Sequence, residues 1–221
     1  MSVFDKWAWI KRNWTYALEE AAGLGLVFVG GTALNLVLFK EYRASEDIDL
    51  YDPMAKTIGT AHEKECMETL AKRLAGKGFE IKSKDERAIW VGPSIKIEIF
   101  NDGTSFARIE KRNIDQTVVL TFDLQTCADM KMAALMCRSV YDARDLVDLF
   151  VIKKQAGVLP SFPKRECDMI ENRYDERLRD IKRTKKDDLR IFQTDKQIES
   201  LPYGEFEEFK TWLHEWLSGF R

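Results

Sequence analysis

The sequence predicts an α+β protein: a mixed sheet flanked by helices, followed by a small C-terminal helical bundle. Two observations carry this reading. Up to Pro160, short apolar runs of strand character alternate with segments of helical period. Beyond Pro160 the chain is charged and helical in period, and no strand signal remains. A third observation sets the boundary: Gly157, Pro160 and Pro163 break the pattern, so domains are expected at 1–158 and 159–221.

The elements follow in order. Phe4 to Leu24 carries Trp7, Ile10, Trp14 and Leu18 at helical spacing. Val27 to Val29 is a short buried strand, Gly30-Gly31 a turn, and Thr32 to Phe39 a helix that Thr32 would cap. Asp47 to Tyr51 alternates acid and apolar residues, as a half-buried strand does. His62 to Lys77 is a helix closed by Gly76 and Gly78. Strands are expected near Phe79–Ser83, Ala88–Val91, Ile95–Phe100 and Val118–Phe122, then helices at Thr126–Arg138 and Ala143–Lys154. In the last part, Ile170, Tyr174, Leu178 and Ile181 fall on one stripe, and Phe206, Phe209, Leu213, Trp216 and Phe220 on another.

Bulk properties remove several functional classes. The 221 residues are 45% apolar and 33% charged, ordinary for a globular chain, and the net charge of −2 shows no global basicity for nucleic acid. The C-terminal part from Pro160 holds 13 Lys/Arg against 14 Asp/Glu, so it is no basic tail. In particular, the basic run Lys182, Arg183, Lys185 and Lys186 is answered at once by Asp187 and Asp188. Cys66, Cys127, Cys137 and Cys167 form no CxxC pair, and His62 and His214 lie far apart, which argues against zinc. No apolar run approaches the roughly 18 residues of a membrane span, and no signal-peptide core is seen. A reduced, soluble, cytoplasmic protein without a membrane partner is the expectation.

The chemistry concentrates in VFVGGTALNLVLFKEYRASEDIDLYDP, from Val27 to Pro53. Residues two apart on a strand share a side, so Asp47 and Asp49 project together while Ile48 and Leu50 enter the core. Two such carboxylates repel unless a cation lies between them, and hard oxygen ligands suit Mg²⁺. A bare D-x-D equally fits a strand end with two solvated acids. On the strand Ile95–Phe100, Glu98 would join the same patch if that strand lies beside Asp47–Tyr51; otherwise it is an exposed partner of a neighbouring lysine. Three acids could hold two Mg²⁺ ions. Gly30-Gly31, between strand and helix, lets backbone N–H groups approach a phosphate closely.

GGTAL followed by YRASEDIDL resembles the first motif of the nucleotidyltransferase superfamily, and more narrowly the AbiEii/AbiGii-type toxin nucleotidyltransferases. Arg43 and Ser45 match the family's R-x-S-x-D-x-D wording. Lys131 in ADMKMAALMCR, and Arg144, Asp145 and Asp148 in ARDLVDLF, match its later lysine and RD helix. The resemblance covers about residues 26–150. It implies a nucleotidyltransferase-type mixed sheet, Mg²⁺-dependent transfer of a nucleoside monophosphate from an NTP, and a cognate antitoxin protein. It also points to tRNA as the leading acceptor. In this scheme Asp47, Asp49 and Glu98 ligate metal. Gly30, Gly31, Thr32, Arg43, Ser45 and Lys131 bind nucleotide, and Lys131 also serves catalysis. Arg144, Asp145 and Asp148 support, the two acids orienting Lys131 or an arginine.

The residues alone leave other readings open. Lys131 lies at the edge of an apolar stripe of Ala128, Met132, Leu135 and Met136, where its loss should scarcely touch the core. Asp142 would cap the next helix and Arg144 pair with Asp148 at i,i+4. Two further functions stay open: an enzyme of the same fold modifying a protein hydroxyl or small molecule, and a non-catalytic member binding nucleotide or a partner.

Overall fold

A computed structural model describes residues 2–55, 57, 59–100, 107–114, 116–161, 171–190 and 192–220. Cys167, Ile170 and Pro163, named above, lie outside the described residues. By packing, the chain parts into two units, Met1–Asp123 and Leu124–Arg221.

The first unit begins with α1, Val3–Ala22, opened by a capping box between Ser2 and Asp5. Strand β1 (Val27–Val29) leads into a four-residue helix, α2 (Gly30–Ala33), and a π-helical turn, Leu34–Leu38. Then come β2 (Asp47–Tyr51), α3 (Ala61–Gly76), β3 (Ile81–Lys84), β4 (Ala88–Val91), β5 (Ile95–Ile99), β6 (Ile109–Ile114) and β7 (Thr117–Phe122). They form a seven-stranded sheet ordered β3-β4-β5-β2-β1-β7-β6, in which β2–β5 and β1–β7 run parallel and the other pairs antiparallel.

One face of this sheet is apolar and carries both long helices. Trp7, Ile10, Trp14 and Leu18 of α1 and Met67, Leu70 and Leu74 of α3 pack with Phe28, Ile48, Leu50, Ile89, Ile97 and Ile99. Side chains alternate across the sheet, so burying these isoleucines turns Asp47, Asp49 and Glu98 to the opposite face.

The sequence expectation lacks β6. Its residues, IEKRNI, alternate between exposed and half-buried, and an edge strand with so little apolar content leaves no period-2 signal. Only pairing with β7, from Ile109↔Phe122 to Ile114↔Thr117, makes it a strand. Nor does Thr32 cap a helix: the cap position is Val29, without a side-chain bond, and the Thr32 hydroxyl donates to Asp47 O at 2.6 Å.

The second unit is helical among the described residues: α4 (Leu124–Cys137), α5 (Ala143–Ala156), α6 (Glu171–Arg183), a 3-10 turn (Lys186–Leu189), α7 (Asp195–Ser200) and α8 (Tyr203–Ser218). The expected boundary at 158/159 groups α4 and α5 with the sheet, whereas by packing they join the C-terminal helices. Helix α5 shows the reason. Asp145 through Ile152 are all buried, so it needs neighbours on every side. Phe150 meets Phe206 edge-on at 5.4 Å and Phe209 at 5.6 Å. Asp142 caps α5 as expected, accepting from Arg144 N, and Gly157 ends it in the left-handed conformation. On α8 the buried stripe is Phe206, Phe209, Leu213 and Leu217; Trp216 is half-buried and Phe220 exposed.

A buried acid in the first unit sets a pH dependence. Asp52, fully buried, accepts from Met54 N at 2.9 Å and holds His62 Nδ1 at 2.6 Å. That hydrogen bond raises the His62 pKa, with smaller coulombic help from Asp52, Glu65 and Glu63. A raised folded-state pKa stabilises fully below the unfolded value of about 6.5 and is lost as pH rises through the folded value. Melting curves of wild type and His62→Gln between about pH 6 and about pH 8 should therefore converge as pH rises. A constant gap between them would show that the imidazolium contributes nothing.

Candidate active site

Strands β2 and β5 lie side by side in parallel, with Asp49 opposite Glu98 and Asp47 opposite Lys96. Oxygens of Asp47, Asp49 and Glu98, all three half-buried, fall within 4.8 Å of one another. The third acid thus lies where pairing with β2 would bring it. Lys96 Nζ forms an ion pair with Glu98 Oε2 and lies 6.0 Å from the centre of the Trp90 ring.

The double glycine borders this patch, and each glycine leaves room for a side chain. Gly30 has φ of 76°, and a Cβ there would fall 2.1 Å from Asp49 Oδ2. At Gly31 φ is not positive; a Cβ would fall 2.1 Å from an Arg43 guanidinium nitrogen. Gly30 alone therefore combines the special backbone with close approach. Helix α2 runs without a break into the π-helical turn, so Gly30 opens a helical segment that reaches Leu38.

Arg43 and Ser45 sit in the segment before β2 and are 3% and 4% exposed. Arg43 donates to Ala44 O at 2.9 Å. Asn35, 2% exposed, donates to Gly31 O at 2.8 Å and accepts from Tyr42 N at 3.1 Å and Arg43 N at 3.2 Å, joining glycine turn and loop. Helix α1 holds the same loop from outside: Trp7 Nε1 donates to Glu41 at 2.6 Å, Lys11 pairs with Glu41 at 2.9 Å, and Lys6 with Glu46 at 3.0 Å. Sequence reasoning missed Asn35 and Glu41, while Lys96 is the neighbouring lysine it offered as the alternative partner of Glu98. An amide inside the apolar run LNLVLF is the one available signal, since a buried amide needs partners.

In the second unit Lys131 is 9% exposed and its ammonium lies 2.9 Å from Asp145 Oδ1 and 2.8 Å from Asp148 Oδ2. Both acids are buried, and Arg138 reaches the other Asp145 oxygen at 3.4 Å. Arg144 pairs with Asp142 at 2.6 Å and lies over the Phe192 ring at 4.5 Å. Lys131 is thus no snorkelling flank residue. It is the counter-charge of two buried carboxylates.

A family model described as nucleotidyl transferase AbiEii toxin, type IV toxin–antitoxin system, matches residues 16–212. Two solved structures share the fold. One, from H. pylori and described as a nucleotidyltransferase, has a TM-score of 0.54 at 18% identity and covers 96% of each chain. Another, an antigenic nucleotidyltransferase-like protein from Paracoccidioides brasiliensis, has a TM-score of 0.50 at 18% identity, covering 74% of this chain and 86% of its own. No curated protein matches the chain by sequence. Among the described residues, no helix is long and apolar enough to cross a membrane.

The Lys131 geometry reverses the expectation of a mild substitution. Lys131→Ala removes the buried ammonium that Asp145 and Asp148 share and should cost about 3–5 kcal/mol of stability, read from urea denaturation. Adding Asp145→Asn and Asp148→Asn should return much of that loss. An unchanged midpoint in Lys131→Ala would show that the pairing does not hold the helices together.

Proposed function

The chain belongs to the AbiEii nucleotidyl transferase toxin family, and from that premise we propose that it moves a nucleoside monophosphate from an NTP to an acceptor hydroxyl in a Mg²⁺-dependent reaction. We propose tRNA as the acceptor, the cytoplasm as the setting, and a separate antitoxin protein as the partner that restrains the toxin. The observation that carries the reading is the meeting of Asp47, Asp49 and Glu98 in one patch across the β2–β5 pair.

The donor set suits the metal: three carboxylate oxygens are hard ligands, and their mutual repulsion favours a cation among them. When bound, Mg²⁺ supplies Lewis-acid stabilisation of charge on the triphosphate. The acceptor oxygen attacks the α-phosphorus and its proton passes to a carboxylate of the triad. The bond from the α-phosphorus to the bridging oxygen breaks, and pyrophosphate leaves. Asp47, Asp49 and Glu98 would hold the metal, while Gly30 keeps space for the Asp49 carboxylate. Gly31 and Thr32 complete the turn facing the nucleotide, with Arg43 and Ser45 shaping its wall. Lys131, steadied by Asp145 and Asp148 beside Arg144, is proposed as a phosphate-binding lysine on the strength of the family motif.

Mg²⁺ with a triphosphate should raise the melting temperature more than either alone, by mass action on the folded state. Asp49→Asn should lose that cooperation and lower transfer of label from the nucleotide on the order of 10²-fold. The assay uses each labelled NTP with tRNA or with cell protein. Label entering protein would replace the RNA acceptor by a protein hydroxyl, and wild-type transfer by Asp49→Asn would sink the reading.

A further inference from the structure

Lys96 was not among the residues that the motif picks out, yet it shares the face of the three acids. On β5 it precedes Glu98 by two positions, and in the sheet it stands opposite Asp47. Its neighbour on the other side is Trp90 of β4, whose ring borders the ammonium. The ammonium is paired with Glu98, and both side chains are partly screened from water, at 37% and 28% exposure. The lysine thus answers one of the three carboxylates, and its loss would leave the patch one unit more negative.

We propose that the Lys96 ammonium serves at Glu98 as a built-in cation, so that without nucleotide the site takes up one divalent ion, at Asp47 and Asp49. Lys96 is then a positioning residue: it holds Glu98 and sets how many ions the acids bind and how tightly. The inference rests on the acids being the metal site proposed above. A lysine fits the role because it is a compact point charge on a flexible stem, able to yield when a stronger cation competes. Its aliphatic stem can lie along Trp90 whether or not the ammonium stays on Glu98.

The test is a Mn²⁺ titration of the full chain without nucleotide, followed by electron paramagnetic resonance of the free ion. Wild type, Lys96→Met, Lys96→Arg and Asp49→Asn are compared, with melting curves to show that each is folded. Wild type should bind one Mn²⁺. Lys96→Met, which keeps the stem and removes the charge, should bind a second ion or hold the first about tenfold tighter or more, as expected for loss of one like charge a few ångströms away. Lys96→Arg should behave as wild type. Equal stoichiometry and affinity in wild type and Lys96→Met would overturn the proposal while leaving the metal site standing. Unchanged Mn²⁺ binding in Asp49→Asn would instead show that the acids are not the metal site, and both readings would fall. Should Lys96→Met fail to fold, Lys96→Gln carries the same comparison.

Discussion

The parallel pairing of β2 with β5 is the constraint on which the rest of the first unit depends. Its register sets Asp49 beside Glu98 and, in the same stroke, puts Ile48 beside Ile97 on the other face. Because side chains alternate with period two, a slip of one residue would send Glu98 into the core and an isoleucine to the acidic patch. Burying Ile48, Leu50, Ile97 and Ile99, each at 1% exposure or less, opposes that slip. The apolar face therefore holds the acids together against their repulsion. Helices α1 and α3 support the site through this route.

A second layer of order surrounds the acids. The loop before β2 is joined to the glycine turn by Asn35 and to α1 through Glu41 and Glu46. Thr32 adds a bond to Asp47 O, anchoring the start of β2 to α2. Each of these spends a polar group on backbone or loop geometry, which keeps the segment between turn and strand in one conformation. Gly30 and Gly31 then have a reason apart from any phosphate: a methyl group at either position would collide with Asp49 or Arg43. The two roles agree, since a backbone without side chains admits a ligand as readily as a neighbouring residue.

The second unit rests on different physics. A lysine and two aspartates are buried together between α4 and α5, and the exposed Arg138, just after α4, reaches one of the acids. Such a group costs desolvation and is retained only when its charges answer one another. Here they do: two positive charges face two negative ones. Around it α5 is buried on all sides, packing through Phe150 against α8. The RD-containing helix of the family motif is thus also the central helix of a folding unit, and substitutions in it will mix stability with any effect on chemistry.

The sequence by itself determined the parts with local signatures. The alternation in DIDLY and IKIEI placed two strands and the two faces of each, the helical stripe of α1 named its core residues, and Asp142 announced the cap of α5. Tertiary structure alone decided which strands are neighbours, because strand order is set by long-range packing that no local period records. So the convergence of Asp47, Asp49 and Glu98 became definite only in the sheet, whereas the Lys96–Glu98 pair, two residues apart on one strand, was within reach of the local period. Strand β6, which has no apolar face of its own, exists only through β7. The same limit explains Lys131. One helix shows an edge position, but the two carboxylates that make it a buried counter-charge come from the next helix.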